Sequence, residues 1–154
     1  MLYASWTRLF GRQGGKTPGR WTVRVKICGV VDAGGAQAAA LAGADAVGLN
    51  FVGGPRRIDP EQAGEILQVI PPLVTPVALV RLDQGRVDDD LLEVLGQFWV
   101  SHVQVYGEIT PGSLAMLAQD GFKAMPVVAV RDAGFARTVN DWLSRMGGRS
   151  PAAI

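Results

Sequence analysis

One cysteine and one histidine occur in 154 residues, and that scarcity excludes several kinds of chemistry at once. A single thiol closes no internal disulfide, and the multi-cysteine spacing of structural zinc sites is absent. A reducing compartment, the cytoplasm, is the natural setting for such a chain. An excess of charge of one sign is missing too. Fifteen basic against 14 acidic side chains leave a net +1, which gives no electrostatic footprint for nucleic acid or for an acidic membrane surface. No apolar run approaches the 18 or so residues of a membrane span. What is present, 48% hydrophobic content over this length, describes one globular domain with a real core.

The two ends differ from the middle. Residues 1–22 carry Arg8, Arg12, Lys16 and Arg20 together with Gly11, Gly14, Gly15, Pro18 and Gly19, which reads as a basic flexible extension. A secretory signal needs a continuous apolar stretch of about 7–15 residues, and Ser5, Thr7 and Arg8 interrupt this one. Residues 149–154 read as a disordered tail, which leaves 23–148 as the folded unit.

Within that unit, short apolar runs over 23–27, 46–51, 77–82, 100–105 and 124–130 alternate with amphipathic segments. Strands that lack strict polar alternation and are separated by helices imply parallel pairing with both faces covered. The helix signals are mechanistic. Asp59-Pro60-Glu61-Gln62 supplies an N-cap acceptor, a proline at the first helical position and a Gln at N3, and Ala63, Ile66, Leu67 and Ile70 then share a face. Thr110-Pro111 repeats the device ahead of Leu114 and Leu117, and Asp32 can cap an Ala-rich segment that Gly43 closes. Phe135, Ala136, Val139, Leu143 and Met146 hold a 3.6-residue period, with Trp142 at the edge of the stripe, Asp132 as a cap and Gly147-Gly148 as the stop. These make five βα units. Their strand centres recur roughly every 26 residues, a period of repeated supersecondary units. The fold class is α/β: either a five-stranded open sheet, or a (β/α)₈ TIM barrel truncated to about five units, since eight need about 200 residues or more.

Val25-Lys26-Ile27-Cys28-Gly29 reads as a buried parallel strand that ends in the thiol and a glycine turn. Catalytic groups of α/β folds sit at such carboxyl strand ends, where a rigid scaffold projects them into the loop-lined mouth. That position makes Cys28 a catalytic candidate, set against the ordinary reading of a free cysteine as a small buried hydrophobe. Arg56 follows a Gly-Gly-Pro turn beside Arg57. A βα-loop arginine is ordinarily a solvated charge, but this placement favours an anion site. His102, early in a strand, reads as packed or hydrogen-bonded rather than catalytic.

Four stretches, in order, resemble the phosphoribosylanthranilate isomerases, (β/α)₈-barrel enzymes of tryptophan biosynthesis. Val25–Gly29 resembles the family's first strand, and Gly43-Ala44-Asp45-Ala46-Val47-Gly48-Leu49-Asn50-Phe51 its second. Gly54-Pro55-Arg56-Arg57-Ile58-Asp59-Pro60 resembles the loop and helix start that follow, and Val103-Gln104-Val105-Tyr106-Gly107-Glu108 the fourth strand. The resemblance implies that Cys28 is the general base, that Arg56 holds the substrate anion, and that the substrate is a small phosphorylated molecule. The implied reaction is an Amadori rearrangement, which needs a base for the C2′ proton and an acid that keeps the imine nitrogen cationic. It implies no metal and no organic cofactor.

The chain also departs from the family pattern. Tyr106 stands where the family commonly has His, and Gly53-Gly54 replaces Lys-Ser. The family's acid, an aspartate ending the sixth strand, and its phosphate-gripping loops after strands seven and eight have no counterpart here, and Asp132 and Asp141 are poor substitutes. The expectation is therefore a shortened isomerase of impaired activity. The rival is a non-catalytic partial barrel that binds a partner or self-associates through exposed sheet edges.

Overall fold

The computed structural model describes residues 23–146 and 151. The expected extension at 1–22, most of the expected tail and the Gly147-Gly148 stop lie outside the described residues. Five strands alternate with five helices: β1 (Lys26–Cys28), α1 (Ala33–Leu41), β2 (Ala46–Asn50), α2 (Pro60–Val69), β3 (Thr75–Arg81), α3 (Asp89–Gln97), β4 (His102–Tyr106), α4 (Pro111–Gln119), β5 (Lys123–Pro126) and α5 (Phe135–Arg145). The strands form one parallel sheet in the order β1-β2-β3-β4-β5, the topology of a barrel wall opened between its first and last members.

The caps work as their chemistry requires. Asp59 accepts from the Gln62 backbone N–H at 2.9 Å while the Gln62 side chain accepts from the Asp59 N–H at 3.0 Å, which satisfies two orphan donors reciprocally. Thr110 and Ser113 form the same box on α4, and Asp32 accepts from Gly35 to start α1. Asp132, by contrast, does not cap α5. Its carboxylate accepts from the N–H of Gly134, which itself occupies the N-cap position two residues on, and the helix begins with no side-chain cap.

Alternate strand residues meet the helices. Val47 and Leu49 pack with Ala36, Ile58, Ala63 and Ile66 in one cluster, and Ala78, Val80, Val103 and Val105 with Leu95, Leu114 and Leu117 in another. Phe51 and Leu67 touch both. α5 joins through the end of its apolar stripe and through its edge: Met146, on the stripe, is buried at 3% exposure, and the indole of Trp142, at the edge, donates to the Ile109 carbonyl at 3.2 Å.

Two expected strands change. β1 was expected to be buried, yet all three of its residues are exposed, because among the described residues it is an edge strand with a neighbour on one side only; Ile27 is 42% exposed. β5 ends at Pro126 rather than at 130. Its partner β4 turns away at Gly107 (φ +109°), and Val127 makes the last bond, to the Val105 carbonyl.

Candidate functional site

The strand positions that face away from the helices form a concave face. Pairing runs Lys26–Ala46–Thr75 and Cys28–Gly48–Val77–His102–Lys123, then Asn50–Leu79–Gln104–Met125, and finally Arg81–Tyr106. Period-two alternation sets these residues on one side, because their neighbours at odd offsets fill the helix-facing clusters. Val77 and Leu79 are buried at the middle of this face, and polar side chains surround them.

Cys28 ends β1 and is exposed. The packing explanation for a lone cysteine therefore does not apply. Its thiol occupies space that exists because residue 48 is glycine: a Cβ there would stand 2.8 Å from Cys28 Sγ and 3.2 Å from Lys26 Nζ. Lys26 uses the same gap to reach across two intervening strands and donate to Gln104 Oε1 at 2.8 Å. Edge strand β1 is thereby tied to β4 by a bond between residues 78 apart.

The loop after β2 is held from inside. The Asn50 side chain donates to the Gly53 carbonyl at 2.8 Å and accepts from Val52 N–H at 3.0 Å, while Ile58 N–H returns to the Asn50 carbonyl at 2.9 Å. Gly53 and Gly54 take φ of +148° and +84°, conformations that side-chain-bearing residues rarely adopt. The Lys-Ser-to-Gly-Gly change at this turn thus coincides with a backbone that glycine suits. The loop delivers Arg56 to β1. Its Nη1 donates to the Cys28 carbonyl at 3.1 Å, and its stem lies over Gly29, where a Cβ would meet Nε at 2.9 Å. Cys28 and Arg56, from different βα units, therefore share one rim. Arg57 is exposed, with no hydrogen bond recorded to the thiol's strand.

His102 is half-buried at the start of β4, its Nδ1 3.2 Å from Ser101 Oγ. Burial, and secondarily the Lys123 ammonium, push its pKa below the usual 6.5. It is packed and hydrogen-bonded, as its position in the strand suggests. Sequence reasoning missed Lys26, Gly48, Arg81 and Gln104. Their signal is a polar or vanishing side chain at every second position of an otherwise apolar strand. Among the described residues, no group of three His, Cys, Asp or Glu side chains could hold a metal ion, and no helix is long and apolar enough to cross a membrane.

No family model matches the chain. Curated relatives do. An N-(5'-phosphoribosyl)anthranilate isomerase of Acidithiobacillus ferrooxidans is 37% identical over 111 residues, 71% of this chain and 53% of the relative. One from Natronomonas pharaonis is 38% identical over 118 residues, 75% of this chain and 54% of the relative. The chain thus spans about half the length of the curated relatives it matches. Among solved structures, the phosphoribosyl anthranilate isomerase of Thermotoga maritima superimposes with a TM-score of 0.69 at 28% identity, covering 79% of this chain and 58% of that one. An equally similar structure holds reduced 1-(o-carboxyphenylamino)-1-deoxyribulose 5-phosphate. Sequence and fold agree: the chain is similar to about half of a phosphoribosylanthranilate isomerase, and its five βα units match part of that barrel.

Proposed function

We propose that these five units carry the base side of a phosphoribosylanthranilate isomerase site, with Cys28 as the general base and Arg56 as a contact for the substrate anion. The observation that carries the reading is the 3.1 Å bond from the Arg56 guanidinium to the Cys28 carbonyl, which couples base and anion contact at one strand-end rim. The substrate class is a phosphorylated sugar amine bearing an aryl carboxylate, and a reducing compartment such as the cytoplasm suits an exposed thiol. In the rearrangement, the Cys28 thiolate removes the C2′ proton of the ring-opened, N-protonated imine. The C–H electron pair becomes the C1′–C2′ double bond of an enaminol as the C=N pair moves onto nitrogen. Reprotonation at C1′ and loss of the enol proton then give the aminoketose. Arg56 orients the anion so that the C–H bond faces the sulfur, a positioning contribution.

Joined to the remaining βα units of the Thermotoga maritima isomerase, the chain should isomerise freshly made phosphoribosylanthranilate. In that protein Cys28→Ala should lower turnover about 10²–10⁴-fold with little effect on folding, the usual worth of a positioned base. Near-normal turnover would make the cysteine structural. The chain by itself serves as the control: we expect essentially no turnover, and association through the β1 edge, where Ile27 and the preceding Val25 are 42% and 44% exposed. A monodisperse monomer turning over at about 1 s⁻¹ or more would overturn that expectation.

A further inference from the structure

The concave face has a charge character that neither the thiol nor Arg56 accounts for. Its strand positions carry Lys26, Arg81 and Lys123, with His102 between them in register, and no aspartate or glutamate. The carboxylates of the loops at the carboxyl strand ends are largely committed elsewhere. Asp32, Asp59, Asp88 and Asp132 each accept a backbone N–H, and Asp89 pairs with Arg86 at 3.4 Å. Asp83 and Glu108 are the exceptions, and neither lies within ion-pair distance of Arg81. Among the described residues the ion pairs are Arg24–Asp45 and Arg86–Asp89.

Lys26 is held low on the face by Gln104, and Arg56 is pinned over Gly29. Arg81 is placed differently. It is the last residue of β3, it is exposed, and it lies on the concave side because Val80 and Leu82 on either side of it fill the helix-facing core. Its register partner is Tyr106, the last residue of β4, half-buried, with a phenol that can donate alongside the guanidinium. Register sets an arginine and a tyrosine side by side at the ends of adjacent strands, above strand positions that carry no acid, and the two donor types suit an oxyanion.

We propose that Arg81 and Tyr106 form a second oxyanion contact at the strand-end mouth, separate from Arg56, for a carboxylate or a phosphate monoester. This rests on the proposed function only in its choice of physiological ligand, a molecule with one anion of each kind. With Arg56 over the end of β1 and Arg81 at the end of β3, the two contacts lie on opposite sides of β2.

The test is titration of the ¹⁵N-labelled chain with anthranilate, with inorganic phosphate and with ribose 5-phosphate, followed by NMR through backbone amides and arginine Nε–H signals. The variants are Arg81→Gln, Arg81→Lys, Tyr106→Phe and Arg56→Gln. Arg81→Gln should weaken at least one anion about ten- to a hundredfold, Tyr106→Phe should weaken the same anion less, and Arg81→Lys should restore binding in part. Whether anthranilate or the phosphates respond identifies the source of the oxyanion. Wild-type affinity of the Arg81→Gln protein for every probe, or no binding to the unmodified chain, overturns the proposal. The two readings fail separately. Anthranilate weakened by Arg56→Gln but untouched by Arg81→Gln leaves the isomerase reading standing without this contact. Phosphate bound through Arg81, with anthranilate ignored by every variant, leaves the contact standing without the isomerase.

Discussion

The two faces of the sheet are made by the same strands and share almost nothing else. Toward the helices stand Val47, Leu49, Ala78, Val80, Val103 and Val105, all fully shielded from solvent. On the concave side stand Lys26, Cys28, Asn50, Arg81, Gln104 and Tyr106, none of them buried. Apolar burial stabilises by roughly 25 cal/mol per Å², so the helix-facing side supplies the free energy that holds the strands in place. The concave side can then carry charge and a thiol at little cost to folding. Stability and chemistry are separated by a single step along the chain, and a one-residue slip in register would exchange them.

The largest expected effect tests that division. Leu49→Ala removes a fully buried side chain between α1 and α2 and should cost about 2–5 kcal/mol, read as a lowered urea midpoint with an unchanged slope. Cys28→Ala, on the adjacent strand but exposed on the opposite face of the sheet, should shift the midpoint by less than about 0.5 kcal/mol. Comparable losses from the two substitutions would mean that the concave face is part of the core after all.

A smaller effect sharpens the comparison from the concave side. Gly48 is the position at which that face has no side chain, and the gap admits both Cys28 Sγ and Lys26 Nζ. In Gly48→Ala the new Cβ would stand 2.8 Å from the thiol, so the sulfur or the Lys26–Gln104 bond has to move. The lysine is a flexible chain and the thiol sits at a strand end, so the loss should be about 1–3 kcal/mol rather than collapse. It should appear together with changed NMR signals at Cys28 and Gln104. Unchanged stability and unchanged signals would show that the gap has no structural role.

The sequence made the helix-facing side legible and left most of the concave side unread, for a physical reason. Caps and helix periods are local: Asp59 and Gln62 lie three residues apart, and Ala63, Ile66 and Leu67 within two turns, so the pattern contains the structure. The shared rim position of Cys28 and Arg56 was legible because a strand end and a glycine turn mark themselves in the chain. The exposure of β1 was not legible, since Val25-Lys26-Ile27-Cys28 reads as an apolar run and whether a neighbour covers it is decided by other segments. Nor was the bond from Lys26 to Gln104, which depends on sheet curvature across two intervening strands and on a glycine contributed by a third segment. Asp132 shows the local signal misleading in the other direction. The residue makes its turn, and the helix starts beyond it.

His102 offers the smallest effect, and one whose sign is fixed. It lies on the concave face at the foot of β4, in register with Lys123, and burial first and the lysine charge second favour its neutral form in the folded protein. In the unfolded chain the ring takes a proton near 6.5. Below that pH the unfolded state therefore binds more protons than the folded one. The contribution of the neutral ring to stability is complete above 6.5 and is lost as pH falls through 6.5 toward the lower folded value. His102→Gln should flatten this part of the pH–stability curve while leaving the rest unchanged. Lys123→Gln should move the imidazole titration, followed by NMR, upward by only part of the difference, because desolvation is the larger cause and remains. An imidazole titrating at or above 6.5 in the folded chain would mean that the concave face at this point is neither as shielded nor as positive as its residues make it.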